Sequence, residues 1–221
     1  MSQQSLSRNA GILFLAYPRG GSNCILIFSM KRRLTIIPGG WHKPTEKCYQ
    51  WMIRYYKDQG FEVRMITINW QRQVMSDYVD QFKEQFVKEN GMKEYVLGFS
   101  FGAMIAFIAA NEIKPDKLFL CSLSHYFSED KKFIQKSSRR FLGVHRLEDF
   151  KKYKAKCLAQ TITVPTIVFC GEREGKRYPQ LFKRCKETAA QLTQAKFIVV
   201  PDAPHEIDYP TYIQSIKKNV R

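Results

Sequence analysis

Gly98-Phe-Ser-Phe-Gly102 is the stretch of this sequence best equipped to do chemistry, because it sets a serine hydroxyl between the apolar run Tyr95-Val-Leu97 and a second apolar run from Ala103 to Glu112. The small residues Gly98, Gly102 and Ala103 let the backbone turn sharply from strand into helix, which thrusts Ser100 into the open with strained dihedrals. The helix that follows is apolar on nearly every side, as expected of one buried beneath a sheet. Its partly positive amino end and the amide of Phe101 then face the place where an ester or amide oxygen would become negative. A serine hydroxyl is a poor nucleophile at neutral pH. It needs a base within hydrogen-bond reach and a carboxylate that fixes the tautomer of that base.

The elements that would position such a group alternate along the chain. Gly11 to Tyr17 and Cys24 to Met30 read as two strands joined by a Gly-Gly turn, and Lys31-Arg-Arg33 reads as the link to a third run, Leu34 to Trp41, which ends in paired glycines. Tyr49, Met52, Ile53 and Tyr56 recur at helical spacing and Gly60 stops them. Phe61 to Ile68 is the next strand, and Tyr78, Phe82 and Phe86 mark a helix ended by Asn90-Gly91. After the serine turn come strands at Lys117 to Leu123, Val164 to Cys170 and Lys196 to Val200. Leu181, Cys185, Ala189 and Leu192 mark a helix between the last two, and Tyr209, Tyr212, Ile213 and Ile216 mark a final one. Strands alternating with amphipathic helices imply an α/β fold with a mostly parallel, twisted sheet covered on both faces. No composition shift marks a second domain, so residues 1–221 read as one. The alternation breaks only between Ser124 and Thr163, and 125–160 reads as a helical, heavily basic segment.

With strand, turn and buried helix in this order, the chain resembles the α/β-hydrolase family from Gly11 onward. The resemblance implies a serine, acid, histidine order, with the latter two in loops after later strands. Gly171-Glu-Arg-Glu174 follows a strand and matches the family's Gly-x-x-Asp turn with glutamate in place of aspartate, so Glu174 takes the acid's place. Glu172 and Asp202 are the other carboxylates nearby. Pro201-Asp-Ala-Pro-His205 puts His205 where the base belongs. Pro38-Gly-Gly-Trp41 resembles the glycine turn after the family's third strand, so Gly40 joins Phe101 as an oxyanion donor, with Trp41 as the alternative donor and a substrate-binding side chain. His42 and His125 fall at the carboxyl edge of the sheet without matching the base's position, and His145 reads as structural or solvated. A serine rather than an aspartate at the turn speaks against dehalogenase and epoxide hydrolase chemistry. The resemblance therefore implies hydrolysis of a carboxylic ester first and a thioester second, with no cofactor. A family member that keeps the fold as a binding or scaffold protein is the other class in view.

Composition sets the outer bounds. The chain of 221 residues is 44% hydrophobic, enough for one well-buried core, and carries 36 Lys and Arg against 20 Asp and Glu, a net charge of +16. Such a surface attracts anions, and an anionic substrate carrier or lipid surface is a candidate partner beside a small-molecule ester. No recognition helix, zinc finger or aromatic RNA-binding motif accompanies the charge, so specific nucleic-acid binding is not expected. The segment 125–160 falls where the α/β-hydrolase family often inserts a cap, so the resemblance implies a small basic helical cap there; it is especially dense in cations, among them Lys131, Lys132, Arg139, Arg140 and Arg146, interleaved with Phe127, Phe133, Phe141, Leu142, Leu147, Phe150 and Tyr153. It reads either as an apolar face turned to the site with charge outward, favouring acyl chains on anionic carriers, or as a solvated basic face with no role in selection. The apolar run Gly11 to Tyr17 falls well short of the ~20 residues a transmembrane helix needs. It lacks the flanks of a signal peptide. Six scattered cysteines without a Cys-x-x-Cys pair favour reduced thiols in the cytoplasm. The four histidines form no recognisable zinc spacing with them, so no metal is expected.

Overall fold

The computed structural model describes residues 30–221; the two strands expected at Gly11 to Tyr17 and Cys24 to Met30 lie outside them but for Met30. In chain order the elements are β1 (Lys31–Ile37), α1 (Lys47–Asp58), β2 (Phe61–Met65), α2 (Met75–Gln85), β3 (Met92–Phe99), α3 (Phe101–Ile113), β4 (Lys117–Cys121), a 3-10 turn (Ser128–Phe133), α4 (Lys136–Asp149), a second 3-10 turn (Phe150–Lys152), α5 (Ala155–Thr161), β5 (Thr166–Gly171), α6 (Glu172–Arg177), α7 (Pro179–Gln191), β6 (Ala195–Val200) and α8 (Pro210–Asn219).

The strands form one six-stranded sheet in the order β2-β1-β3-β4-β5-β6. Every neighbouring pair runs parallel. Parallel strands need long crossovers, and the helices that supply them cover both faces. On one face α1 and α8 contribute Tyr49, Met52, Tyr56, Tyr212 and Ile216 against Leu34, Leu97, Phe119 and Phe169. On the other, α2, α3, α5 and α7 bury Tyr78, Phe82, Phe107, Ala159 and Cys185 against Val96, Leu120 and Val168. Helix α3 lies at the centre of that second face and is buried at every position from Phe101 to Ala110, which is why its sequence lacks a polar stripe.

Several boundaries move from their sequence expectation. Lys31 to Arg33 is the start of β1 rather than a link. Arg33 is tolerated there because its ladder partners on both sides are acidic, Glu62 on β2 and Glu94 on β3. Its guanidinium meets Glu62 at 2.7 Å, Glu89 at 2.7 Å and Glu94 at 2.8 Å, and a buried cation survives only when paired this way. Strand β2 stops at Met65, short of Ile68, and β4 stops at Cys121, short of Leu123.

The chain reverses direction across the sheet between β1 and β3, the kind of point where open parallel sheets bind ligands beyond their carboxyl ends. Ser100, Ser122, Glu174 and His205 all fall in the connections that leave the carboxyl ends of β3, β4, β5 and β6.

Candidate active site

Ser100 is the one residue between β3 and α3, with φ 55° and ψ −114°. That conformation lies outside the left-handed helical well as well as the usual regions, and costs of order 1–3 kcal/mol. Two glycines make the tight turn feasible. A Cβ on Gly98 would lie 2.3 Å from the Gly102 carbonyl oxygen, and one on Gly102 would lie 2.3 Å from that of Ile37. The turn is held from the sheet side as well, since the Ser100 amide donates to the Cys121 carbonyl at 2.8 Å.

His205 arrives from the loop after β6 and puts Nε2 3.0 Å from Ser100 Oγ. Its other ring nitrogen, Nδ1, lies 2.7 Å from Glu174 Oε1. A carboxylate only accepts, so Nδ1 carries the proton and Nε2 is left with a lone pair for the serine hydroxyl. The ring is steadied by Phe99, whose centroid is 4.9 Å away. The loops bearing Glu174 and His205 are tied together by the Arg173 amide, which donates to the Ala203 carbonyl at 3.1 Å.

The three carboxylates near the turn are separated cleanly. Glu174 is buried and faces His205. Glu172 accepts from the Asp202 amide at 3.0 Å, and Asp202 is engaged by Arg173 at 3.1 Å and by the Tyr209 hydroxyl at 2.9 Å.

The glycine turn after β1 abuts the serine turn. A Cβ on Gly40 would come within 3.2 Å of the Phe101 ring, and Trp41 packs edge-on to Phe101 at 5.4 Å. The His42 amide donates to Gly39 at 3.0 Å, closing a turn in which Trp41 adopts φ 62°. Among the described residues the Gly40 and Trp41 amides donate to no protein acceptor, and the Phe101 amide is one of the unpaired donors that open a helix. His42 places Nδ1 3.0 Å from the Tyr49 hydroxyl.

A nucleophile turn, an imidazole bridging hydroxyl and carboxylate, and free amides beside them make up an arrangement suited to acyl transfer. A model of the family described as serine hydrolase (FSH1) matches residues 30–203. The chain belongs to this family.

The fold of this FSH1-family chain is that of the α/β-hydrolases. It superposes on the mouse alpha/beta hydrolase domain-containing protein 10 with a TM-score of 0.71 and 10% identity, over 96% of each chain. Est1E from Butyrivibrio proteoclasticus gives 0.69 and 13%, over 86% of this chain and 87% of that one. A dienelactone hydrolase from Anabaena variabilis gives 0.62 and 11%, over 87% and 85%. No curated protein matches the chain.

The FSH1-family sequence conceals a further layer around Glu174. Ser122 Oγ donates to Glu174 Oε1 at 2.7 Å and meets the Tyr212 hydroxyl at 2.8 Å. The other oxygen, Oε2, accepts from the Gly171 amide at 2.7 Å and from the Cys170 thiol at 3.0 Å. The adjoining Cys185 thiol and burial push the Cys170 thiol far above its usual range, so it stays a donor. Burial, with Cys121 and Glu174 nearby, does the same for the Tyr212 phenol. Four donors therefore converge on one buried carboxylate. In the sequence Ser122 reads as a strand residue; in the structure it follows the end of β4 with φ 53°, and only that bend aims its side chain at the acid. Ser124, two residues on, brings its hydroxyl to 3.4 Å from Ser100 Oγ.

His125 lies beside the site, stacked on Tyr126 at 5.0 Å. Burial, the Arg184 charge and His205 lower its pKa to about 4, so the ring is neutral at pH 7.

Residues 125–160 pack beside the serine turn, and their charges are not all outward. Arg146 donates to the Trp70 carbonyl at 2.9 Å, to the Gln73 carbonyl at 2.9 Å and to the Tyr78 hydroxyl at 3.1 Å. Asp149 takes the Ser76 amide at 2.8 Å, and buried Asp130 pairs with Arg184 on α7 at 2.6 Å. Nor is every apolar residue inward. Phe127, Leu142 and Phe150 are buried, but Phe133 is 37% and Phe141 64% exposed. Phe141 reaches Trp41 at 4.6 Å, extending an aromatic wall beside the serine. Lys131, Lys132, Arg139 and Arg140 are exposed and His145 is solvated.

Proposed function

We propose that the protein hydrolyses a carboxylic ester, or a thioester, through an acyl-enzyme on Ser100. The observation that carries this reading is the bridging of Ser100 and Glu174 by a single imidazole. His205 Nε2 takes the hydroxyl proton as Ser100 Oγ attacks the carbonyl carbon, and Glu174 steadies the imidazolium that forms. The Phe101 amide and that of Gly40 or Trp41 receive the negative oxygen; they carry no competing protein acceptor among the described residues. The imidazolium then returns its proton to the leaving alkoxide or thiolate. In the second half His205 removes a proton from water, which attacks the acyl-enzyme and frees the acid and Ser100.

Trp41, with Phe141 beside it, gives an apolar surface for the acyl or alcohol group, and 125–160 acts as a small cap on a single domain. The exposed cations of the cap favour substrates whose acyl chain is carried by an anionic group, such as a carrier or a lipid headgroup. Uncoupled cysteines, five among the described residues, support a reducing compartment such as the cytoplasm. No described helix is long and apolar enough to cross a membrane.

The test is labelling of the purified protein with a fluorophosphonate, followed by turnover on a panel of esters and thioesters of graded chain length. Wild type should label on Ser100 and Ser100→Ala should not, with ester turnover falling ~10³-fold or more. Labelling that persists in this variant, or maps to Ser122 or Ser124, would overturn the assignment. A wild-type protein inert to every probe and ester would favour the scaffold class.

A further inference from the structure

We infer that His42, Glu46 and Cys48 form a site for a zinc-like divalent cation, separate from the serine and its partners. The sequence shows no familiar zinc spacing, but the turn after β1 and the start of α1 fold the three side chains onto one another. One ligand atom from each lies within 4.8 Å of the others. A tetrahedral zinc holds its ligands roughly 3.3–3.8 Å apart, so side-chain rotations that close these separations by about 1–1.5 Å would bring all three into its shell. The set is an imidazole, a carboxylate and a thiolate. Thiolate and imidazole select zinc and its borderline neighbours over magnesium or calcium, which prefer an all-oxygen shell. Water completes the fourth position.

The surroundings fit this use. Bound through Nε2, His42 would keep its proton on Nδ1 and donate it to the Tyr49 hydroxyl, 3.0 Å away. A ligating histidine characteristically holds its second nitrogen in such a bond, fixing ring orientation. Glu46 is held over the start of α1 by the Lys43 amide, which donates to its Oε1 at 3.0 Å; its Oε2 remains for the metal. All three residues are half-buried, sheltered but open to entry. On binding, the thiol proton leaves to solvent and the sulfur coordinates as thiolate. The Tyr49 hydroxyl that holds His42 also accepts the Gly39 amide at 2.7 Å. A bound cation would thus clamp the glycine turn to the first turn of α1.

The test uses the full-length protein, stripped of metal, with the sulfur read directly. Cobalt(II) is titrated in and thiolate-to-cobalt charge-transfer absorption is followed in the near ultraviolet; zinc affinity is then measured by competition with a chromophoric chelator. Wild type should bind one equivalent with the charge-transfer band. Cys48→Ser should lose the band, and His42→Gln and Glu46→Gln should weaken zinc binding by on the order of tenfold or more, the loss attached even to an outer-shell partner. Thermal melts of the metal-free variants would confirm that they fold, and Cys157→Ser, at an exposed thiol, should bind as wild type does. Absence of the band in wild type, unchanged zinc affinity in both Cys48→Ser and His42→Gln, or loss of binding in Cys157→Ser would each overturn the site. None of these readouts depends on ester hydrolysis.

Discussion

Ser122 donates its hydroxyl to Glu174 Oε1 at 2.7 Å, the same oxygen that His205 Nδ1 meets at 2.7 Å. The serine and the histidine thus compete for, and together fix, one lone-pair-bearing atom of a buried carboxylate. Glutamate is one methylene longer than the aspartate usual in this turn, and the extra reach is stabilised by donors on both oxygens. Removing the Ser122 hydroxyl should loosen the acid and lower kcat by about tenfold, on the scale of one hydrogen bond to a charged group. Because Ser122 sits at φ 53°, Ser122→Gly should be compared with Ser122→Ala to separate lost bonding from backbone strain. Equal kcat in wild type and both variants would show that the bond is idle.

The two glutamates of the turn should behave differently. Glu174→Gln should cut kcat steeply, by on the order of 10²-fold or more, because an amide cannot stabilise an imidazolium and can hold the wrong tautomer. Glu172→Gln should cost little, since Glu172 only accepts from the Asp202 amide. His205→Ala should resemble Ser100→Ala, whereas His42→Ala and His125→Ala retain chemistry. Steady-state kinetics on one ester decide the matter, and a larger loss at Glu172 or Asp202 than at Glu174 would move the acid.

His125 gives a prediction about acid stability. Its pKa is lowered to about 4 in the folded chain by burial, Arg184 and His205, against about 6.5 when unfolded. The unfolded state therefore binds the extra proton first as pH falls. Above pH 6.5 the residue contributes nothing to the pH dependence; between 6.5 and 4 it should remove on the order of 2–3 kcal/mol of stability. Denaturant unfolding at pH 7, 5.5 and 4.5 should show a shallower decline for His125→Asn than for wild type. Parallel curves would mean that the ring takes up its proton at the same pH in the folded and unfolded chain.

The exposed cations of 125–160 should matter only if they steer substrate. In that case kcat/KM for an acyl-CoA relative to a neutral ester of equal chain length should fall between low and high salt, since exposed charges are screened within ~10 Å at 0.1 M. Changing Lys131, Lys132, Arg139 and Arg140 together to Gln should have the same effect at low salt. A ratio indifferent to salt and substitution would leave these residues as a solvated face.

What the sequence determined by itself is what local sterics and periodicity encode. Gly98 and Gly102 around Ser100, set between an apolar strand and an apolar helix, specify a sharp strand-to-helix turn, and the unbroken apolar run of α3 specifies burial beneath a sheet. The alternation of strands and amphipathic helices specifies a parallel sheet. Glu174 and His205 could be picked out because the resemblance to the α/β-hydrolases implies an acid and a histidine in the loops after later strands, and Gly171-Glu-Arg-Glu174 and Pro201-Asp-Ala-Pro-His205 fall there. The tertiary structure decided whatever depends on residues distant in sequence meeting in space. Arg33 looks like a linker residue until β2 and β3 set Glu62 and Glu94 across from it. Ser122 looks like a strand residue until β4 ends early and its positive φ swings the hydroxyl onto Glu174, with Tyr212 behind it from the far end of the chain. Arg146 looks like one more surface cation until α4 packs against the carbonyls of Trp70 and Gln73. Periodicity reports which face of an element is buried, but a hydrogen bond across tens of residues is set by sheet order and loop path, and neither leaves a local signature.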